Sequence, residues 1–196
     1  MPISEPKADL RRYLQDAREA MLWKLDGLAE YDVRRPLTPT GTNLLGLVKH
    51  LTACEIGYFG DTFGRPFLQA PDGFCAGAEH NADMWATAEE SREHIVGLYR
   101  RVWAHSDTTV DTLALDATGL VPHWPADRRE VTLHHILVRM TAETNRHAGH
   151  ADIVRELIDG AVGYRADNDN MAQGDRAWWA EYREGIERVA REVDGR

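Results

Sequence analysis

Between Ile136 and Leu157 the chain places Ile136, Met140, Glu143, His147, His150, Val154 and Leu157 at alternating spacings of four and three. That period marks one face of an α-helix turned toward a core. Three of the positions hold titratable side chains, and a buried ionisable group is costly unless it is paired, neutralised or bound to a metal. The spacing predicts a helix from Thr132 to Asp159, closed by Gly160 in the left-handed conformation.

Helical periods dominate the remainder and strand-like alternation is nearly absent, so the expected class is all-α. A first helix is predicted from about Lys7 to Glu30, with Leu10, Leu14, Met21, Leu25 and Leu28 on one side. A second is predicted from Thr42, as its capping residue, to about Phe63, with Leu44, Leu47, Leu51, Cys54 and Tyr58 as its seam. A third opens at Thr87, which has capping-box spacing to Glu90, and runs to about His105 with Ile95, Leu98, Val102 and Trp85 turned inward. A last helix, from about Asp175 to Val193, carries Trp178, Trp179 and Tyr182, an aromatic face suited to packing on the bundle or on a second subunit. Long connections precede the third and the Thr132–Asp159 helices, and such connections are often functional or are crossovers. Together these elements predict a four-helix bundle with a crossover and an additional C-terminal helix, forming a single domain over residues 1–196.

Composition narrows the function. With 32 acidic against 23 basic side chains and a net charge of -9, attraction to phosphate backbones is not expected, so no nucleic-acid partner is expected. The start lacks the apolar core of a secretory signal, and no apolar run approaches the about 18 residues of a membrane span, so a cytoplasmic protein without membrane partners is expected. Cys54 and Cys75 are too few for a disulfide framework and read as reduced thiols, Cys54 as part of the core.

Glu143 and His147, one helical turn apart, can reach a common ion, as paired ligands on metalloprotease helices do. His50 is the best third donor because it interrupts the apolar face of a different helix. Three nitrogen and oxygen donors with an open position suit a catalytic divalent metal, whereas a closed structural site normally takes four. The competing reading is a wet polar face in which Glu143 pairs with Arg139 or Arg146. His150 fits a fourth ligand, a partner that orients a ligand, or an acid/base facing substrate, with a near-site role preferred. His134 and His135 read as a helix-start pair, and His80, His94, His105 and His123 have no partner at ligand spacing. Asp61 and Arg65 fit either the mouth of a site or a solvated helix end. No GxGxxG, GxSxG or P-loop pattern is present.

The pairing of "GLVKHLTACEIGYFGDTFGRP" with "TLHHILVRMTAETNRHAGHADIVRELIDG" resembles the DinB-like superfamily, in particular its branch related to mycothiol-dependent maleylpyruvate isomerase. The resemblance extends over nearly the whole chain and is most specific in those two helices. It implies a bundle of up-down-down-up order with a divalent metal between one histidine of the second helix and two residues of the fourth, positions that fall on His50, Glu143 and His147. Many DinB-like members have a histidine where this chain has Glu143, and the glutamate is what the mycothiol-using branch looks like.

The resemblance implies a metal-dependent S-transferase that joins a low-molecular-weight, mycothiol-type thiol to electrophilic small molecules, a role in detoxification. Zinc (Zn²⁺) is the expected metal, with Ni²⁺, Fe²⁺ and Mn²⁺ also compatible with the ligands. The isomerase of the branch has a larger C-terminal extension than is present here, so transfer is expected in place of that isomerisation. The alternatives are a non-catalytic, metal-stabilised helical binding module and a metal-dependent hydrolase. A homodimer through the tryptophan-rich last helix is a further expectation.

Overall fold

The structure, a computed structural model, describes residues 5–71, 74 and 79–195. Cys75 lies outside the described residues. Four long helices build the bundle: α1 (Pro6–Trp23), α3 (Leu44–Glu55), α4 (Arg92–Thr112) and α5 (Leu133–Asp159), with a short α2 (Glu30–Arg34) between the first two and α6 (Arg176–Asp194) at the end.

The order is up-down-down-up, as contacts between helix ends establish. Arg11 near the start of α1 binds Asp107 and Asp111 near the end of α4, so those two helices are antiparallel. Arg155 near the end of α5 reaches the carbonyls of Lys24 and Asp26 just past α1, so α1 and α5 are parallel. His50 meets Glu143 while Leu44 and Leu45 share a core with Ala151 and Val154, which sets α3 against α5. Because α3 and α4 run the same way, the connection between them is a crossover. The return from α4 to α5 is a small hairpin, β1 (Thr118–Leu120) paired antiparallel with β2 (Glu130–Thr132).

Two of the hydrophobic clusters stack along the axis. One holds Leu44, Leu45, Leu47, Leu51, Ile95, Tyr99, Ala148, Ala151 and Val154. The other holds Leu14, Tyr58, Phe59, Val121, Val131, Ile136, Leu137 and Met140. Between them Arg18 of α1 donates from Nε and Nη2 to the two carboxylate oxygens of Glu55 of α3, at 2.8 and 2.6 Å, and from Nη1 to Asp107 of α4 at 2.9 Å. Arg18 and Glu55 are both fully buried.

Local chemistry moves several helix ends from their expected places. α1 stops at Trp23 and not at Glu30, because Gly27 takes a left-handed conformation and Arg155 takes up the carbonyls of Lys24 and Asp26, which a continuing helix would have used. Leu25 and Leu28 stay in the core all the same. α3 is capped by Asn43, whose side chain accepts from the Gly46 amide, and not by Thr42. Past Glu55 the chain widens into one π turn (Ile56–Gly60) and then a 3-10 turn (Asp61–Phe63), which together carry it to the expected end. Thr87 and Glu90 do make the capping-box bond, at 2.8 Å, but Ser91 caps α4, which continues to Thr112. Trp85 is 53% exposed instead of inward.

α5 begins and ends as expected, between the cap Thr132 and the left-handed Gly160. Of the expected seam, Ile136, Met140, His147 and Val154 are buried, while Leu133, Leu137, Thr144 and Ala151 are buried in place of Glu143, His150 and Leu157. Glu143 is thus half-buried at the seam's edge, and His150 and Leu157 are exposed. α6 buries none of its residues. Trp178 stacks on Tyr182 with ring centroids 5.3 Å apart, and Trp179 and Tyr182 line a groove of about 720 Å³ shared with Glu156, Val162 and Met171. The expected packing of that aromatic face on the bundle is therefore confined to this groove.

Candidate metal centre

The middle of α3 faces the middle of α5, where the two stacked clusters meet. Antiparallel packing brings His50 and Cys54, one turn apart on α3, opposite Glu143 and His147, one turn apart on α5. Glu143 Oε1 lies 3.5 Å from His50 Nε2 and 3.1 Å from His147 Nε2. One carboxylate oxygen thus meets both imidazoles, whose rings are edge to face with centroids 4.9 Å apart.

Each ring has its other nitrogen engaged elsewhere. His50 Nδ1 is 2.6 Å from Asp83 Oδ2, and His147 Nδ1 is 3.3 Å from His150 Nδ1. Histidines that bind metals are commonly held in this way through the nitrogen that does not bind. His150 therefore stands beside the cluster, exposed, in contact with His147.

Cys54 is the member that sequence reading missed. Its Sγ lies 3.4 Å from His50 Nε2, and one donor atom each from His50, Cys54 and Glu143 lie within 4.8 Å of one another. The thiol is half-buried at the rim of the cluster and not a plain core residue. The signal was available: His50 and Cys54 have the same one-turn spacing on α3 that singles out Glu143 and His147 on α5.

The protonation states suit a cation. Burial pushes the Glu143 carboxyl upward, but His147 and His50 outweigh it and hold the group below its usual range. Burial and the neighbouring His50 lower His147, against the pull of Glu143, so its imidazole stays neutral near pH 7. Metal ligands need this combination of an ionised carboxylate and a neutral imidazole. Burial, with the charges of Glu143 and Asp83, pushes the Cys54 thiol up to about 12.

Below the cluster, Arg139 of α5 lies over Tyr58 and Trp124, its guanidinium carbon 5.0 and 4.9 Å from the two ring centroids. It does not pair with Glu143, so the expectation of a wet face neutralised by Arg139 or Arg146 is not met. Arg65 and His105 serve the fold: His105 Nε2 is 2.6 Å from the Arg65 carbonyl, and Arg65 Nε donates to Thr109. Asp61 is exposed at the end of the α3 segment, and His134 and His135 are exposed at the start of α5. Among the described residues no helix is long and apolar enough to cross a membrane.

Residues 9–160 fit the family model for mycothiol-S-transferase, a span that takes in nearly all of α1, the other three bundle helices and every residue of the cluster. No curated protein matches the chain. The chain belongs to the mycothiol-S-transferase family.

Proposed function

We propose that the chain is a metal-dependent S-transferase that joins a mycothiol-type thiol to electrophilic small molecules, with His50, Glu143 and His147 holding the metal. The observation that carries this reading is Glu143 Oε1 lying within 3.5 Å of Nε2 on both imidazoles while their remaining nitrogens rest on Asp83 and His150. Two imidazoles and a carboxylate suit zinc first, and nickel, iron or manganese by availability. A divalent ion bound there supplies positive charge that favours the thiolate over the thiol, and the thiolate is the nucleophilic form.

The side chains supply the remaining functions. Asp83 and His150 contact the two ring nitrogens that are turned away from Glu143. Tyr58 and Trp124 form an apolar wall one turn below, and Arg139, which pairs with no carboxylate among the described residues, offers a cation for an anionic group on the electrophile. In a displacement, a carbon–sulfur bond forms, the bond to the leaving group breaks with its electron pair on that group, and the thiol proton passes to water. In an addition, the electrophile keeps the electron pair and takes up a proton.

A second reading rests on Cys54. If its sulfur acts as a fourth donor, the shell is closed and the cluster is a structural clasp in a non-catalytic binding module. The test is zinc-loaded protein assayed with a bimane and with chlorodinitrobenzene, with and without mycothiol. Turnover only with thiol supports the transferase, equal turnover without it points to metal-dependent hydrolysis, and no turnover with either electrophile overturns the transferase reading.

A further inference from the structure

Asp83 belongs to none of the bundle helices. It sits on a single 3-10 turn (Ala82–Met84) within the crossover, just after Asn81, whose backbone is left-handed at φ 64°. Yet its Oδ2 lies 2.6 Å from His50 Nδ1, the ring nitrogen turned away from Glu143.

The crossover is fixed at this point by α3 itself. The Asn43 side-chain amide donates to the Met84 carbonyl at 3.1 Å. Lys49 Nζ donates to the Trp85 carbonyl at 3.1 Å and to Glu90 Oε2 at 2.8 Å. At Gly46 the two backbones approach so closely that a Cβ there would fall 1.9 Å from the Met84 oxygen. Gly46 is one turn before His50, so the clamp that seats Met84 on α3 leaves the preceding side chain level with the imidazole.

A neutral imidazole that donates from Nδ1 to a carboxylate presents its lone pair at Nε2. We infer that Asp83 is a positioning residue: it holds His50 in the Nδ1–H form with the Nε2 lone pair aimed at the cluster, and the crossover's clamp on α3 through Asn43, Gly46 and Lys49 keeps it in place. The inference rests on the metal reading only for its effect on affinity. The tautomer is a property of the metal-free chain.

The test therefore has two readouts. Long-range proton–nitrogen NMR on metal-free, nitrogen-15-labelled protein at pH about 8.5, where unperturbed histidines are neutral, reports the His50 tautomer, its signals assigned with His50→Gln. Competition with a chromophoric chelator reports zinc affinity. Wild type is expected to show Nδ1–H on His50. Asp83→Ala should shift His50 toward Nε2–H and weaken zinc binding by about 10–100-fold. Gly46→Ala should move both readouts in the same direction while helicity by circular dichroism is kept, and Asp83→Ala, on a partly exposed turn, decides the matter if Gly46→Ala does not fold. An unchanged tautomer in Asp83→Ala overturns the inference, as does equal zinc affinity in that variant and a wild type that binds zinc. A wild type that binds no zinc removes the metal reading instead, and the tautomer then decides the role of Asp83.

Discussion

Arg18 and Glu55 form a two-pronged ion pair, 2.8 and 2.6 Å long, with no solvent exposure on either side chain. It joins α1 to α3 at the residue following Cys54, so it fixes the helix that carries half of the cluster. Removing one partner leaves a buried charge without compensation, which typically costs about 3–5 kcal/mol, whereas replacing both with apolar groups is often near neutral. Arg18→Met should therefore lower unfolding stability by roughly that amount, and adding Glu55→Leu should recover most of it. Denaturant unfolding of the three variants checks this. A loss under about 1 kcal/mol in Arg18→Met would mean that water or another cation reaches Glu55.

The clamp between Lys49 and Glu90 should make stability depend on pH in a defined direction. Burial raises the Glu90 carboxyl, but Lys49 and the Thr87 amide outweigh it and leave the group below its usual value. A carboxyl depressed in the folded state contributes stability that is present above its unfolded pKa and is lost as pH falls through its folded pKa. Glu90→Gln should thus be less stable than wild type at pH 7, and the gap should close as pH drops below about 4. Unfolding curves across that window measure it, and a gap independent of pH would contradict the assignment.

Arg139 is expected to select among electrophiles. A lost contact between a guanidinium and a carboxylate is worth about 1.5–3 kcal/mol, or roughly tenfold or more in binding. Arg139→Met should raise KM for a carboxylate-bearing electrophile by at least about tenfold and leave a neutral one within a factor of about three. Steady-state kinetics on such a pair decides it, and equal effects on both would assign Arg139 to packing against Tyr58 and Trp124.

α6 buries no residue, and Ile186, Val189 and Val193 are each more than half exposed. Removing residues 174–196 should therefore change bundle stability by less than about 1 kcal/mol, within the range of surface changes. The segment before it must stay, because Arg165 binds Asp16 at 3.0 Å and Lys24 donates to the Gly163 carbonyl. Thermal unfolding and light scattering of the shortened chain provide the check. A large loss of stability together with a change of mass would show that a second copy covers the aromatic face.

The bundle could be read from the sequence because long helices with apolar stripes leave a strong period, and α5 was bounded at both ends by Thr132 and Gly160. Periodicity could not locate the α5 stripe to better than one position. Counting Glu143, His150 and Leu157 as inward is as good a fit to the spacing as the observed Leu133, Leu137, Thr144 and Ala151, and only the packing of α1 and α3 decides between them. The contact of Glu143 with His50 follows from placing two polar interruptions on facing helices. Asp83 had no such signal, since a loop residue reaches His50 only through tertiary contacts at Asn43, Gly46 and Lys49. The early end of α1 was hidden for the same reason: the side chain that takes over its carbonyls, Arg155, is far away in sequence.

The central claim is that His50, Glu143 and His147 form an open metal site. Elemental analysis of bound metal in wild type and in His50→Ala, Glu143→Ala, His147→Ala, Cys54→Ala and His150→Ala tests it most directly. The account predicts near-stoichiometric metal in wild type, Cys54→Ala and His150→Ala, and its loss in the other three variants. Equal metal content in every variant would contradict it, and loss in Cys54→Ala as well would close the shell and turn the site into a structural clasp.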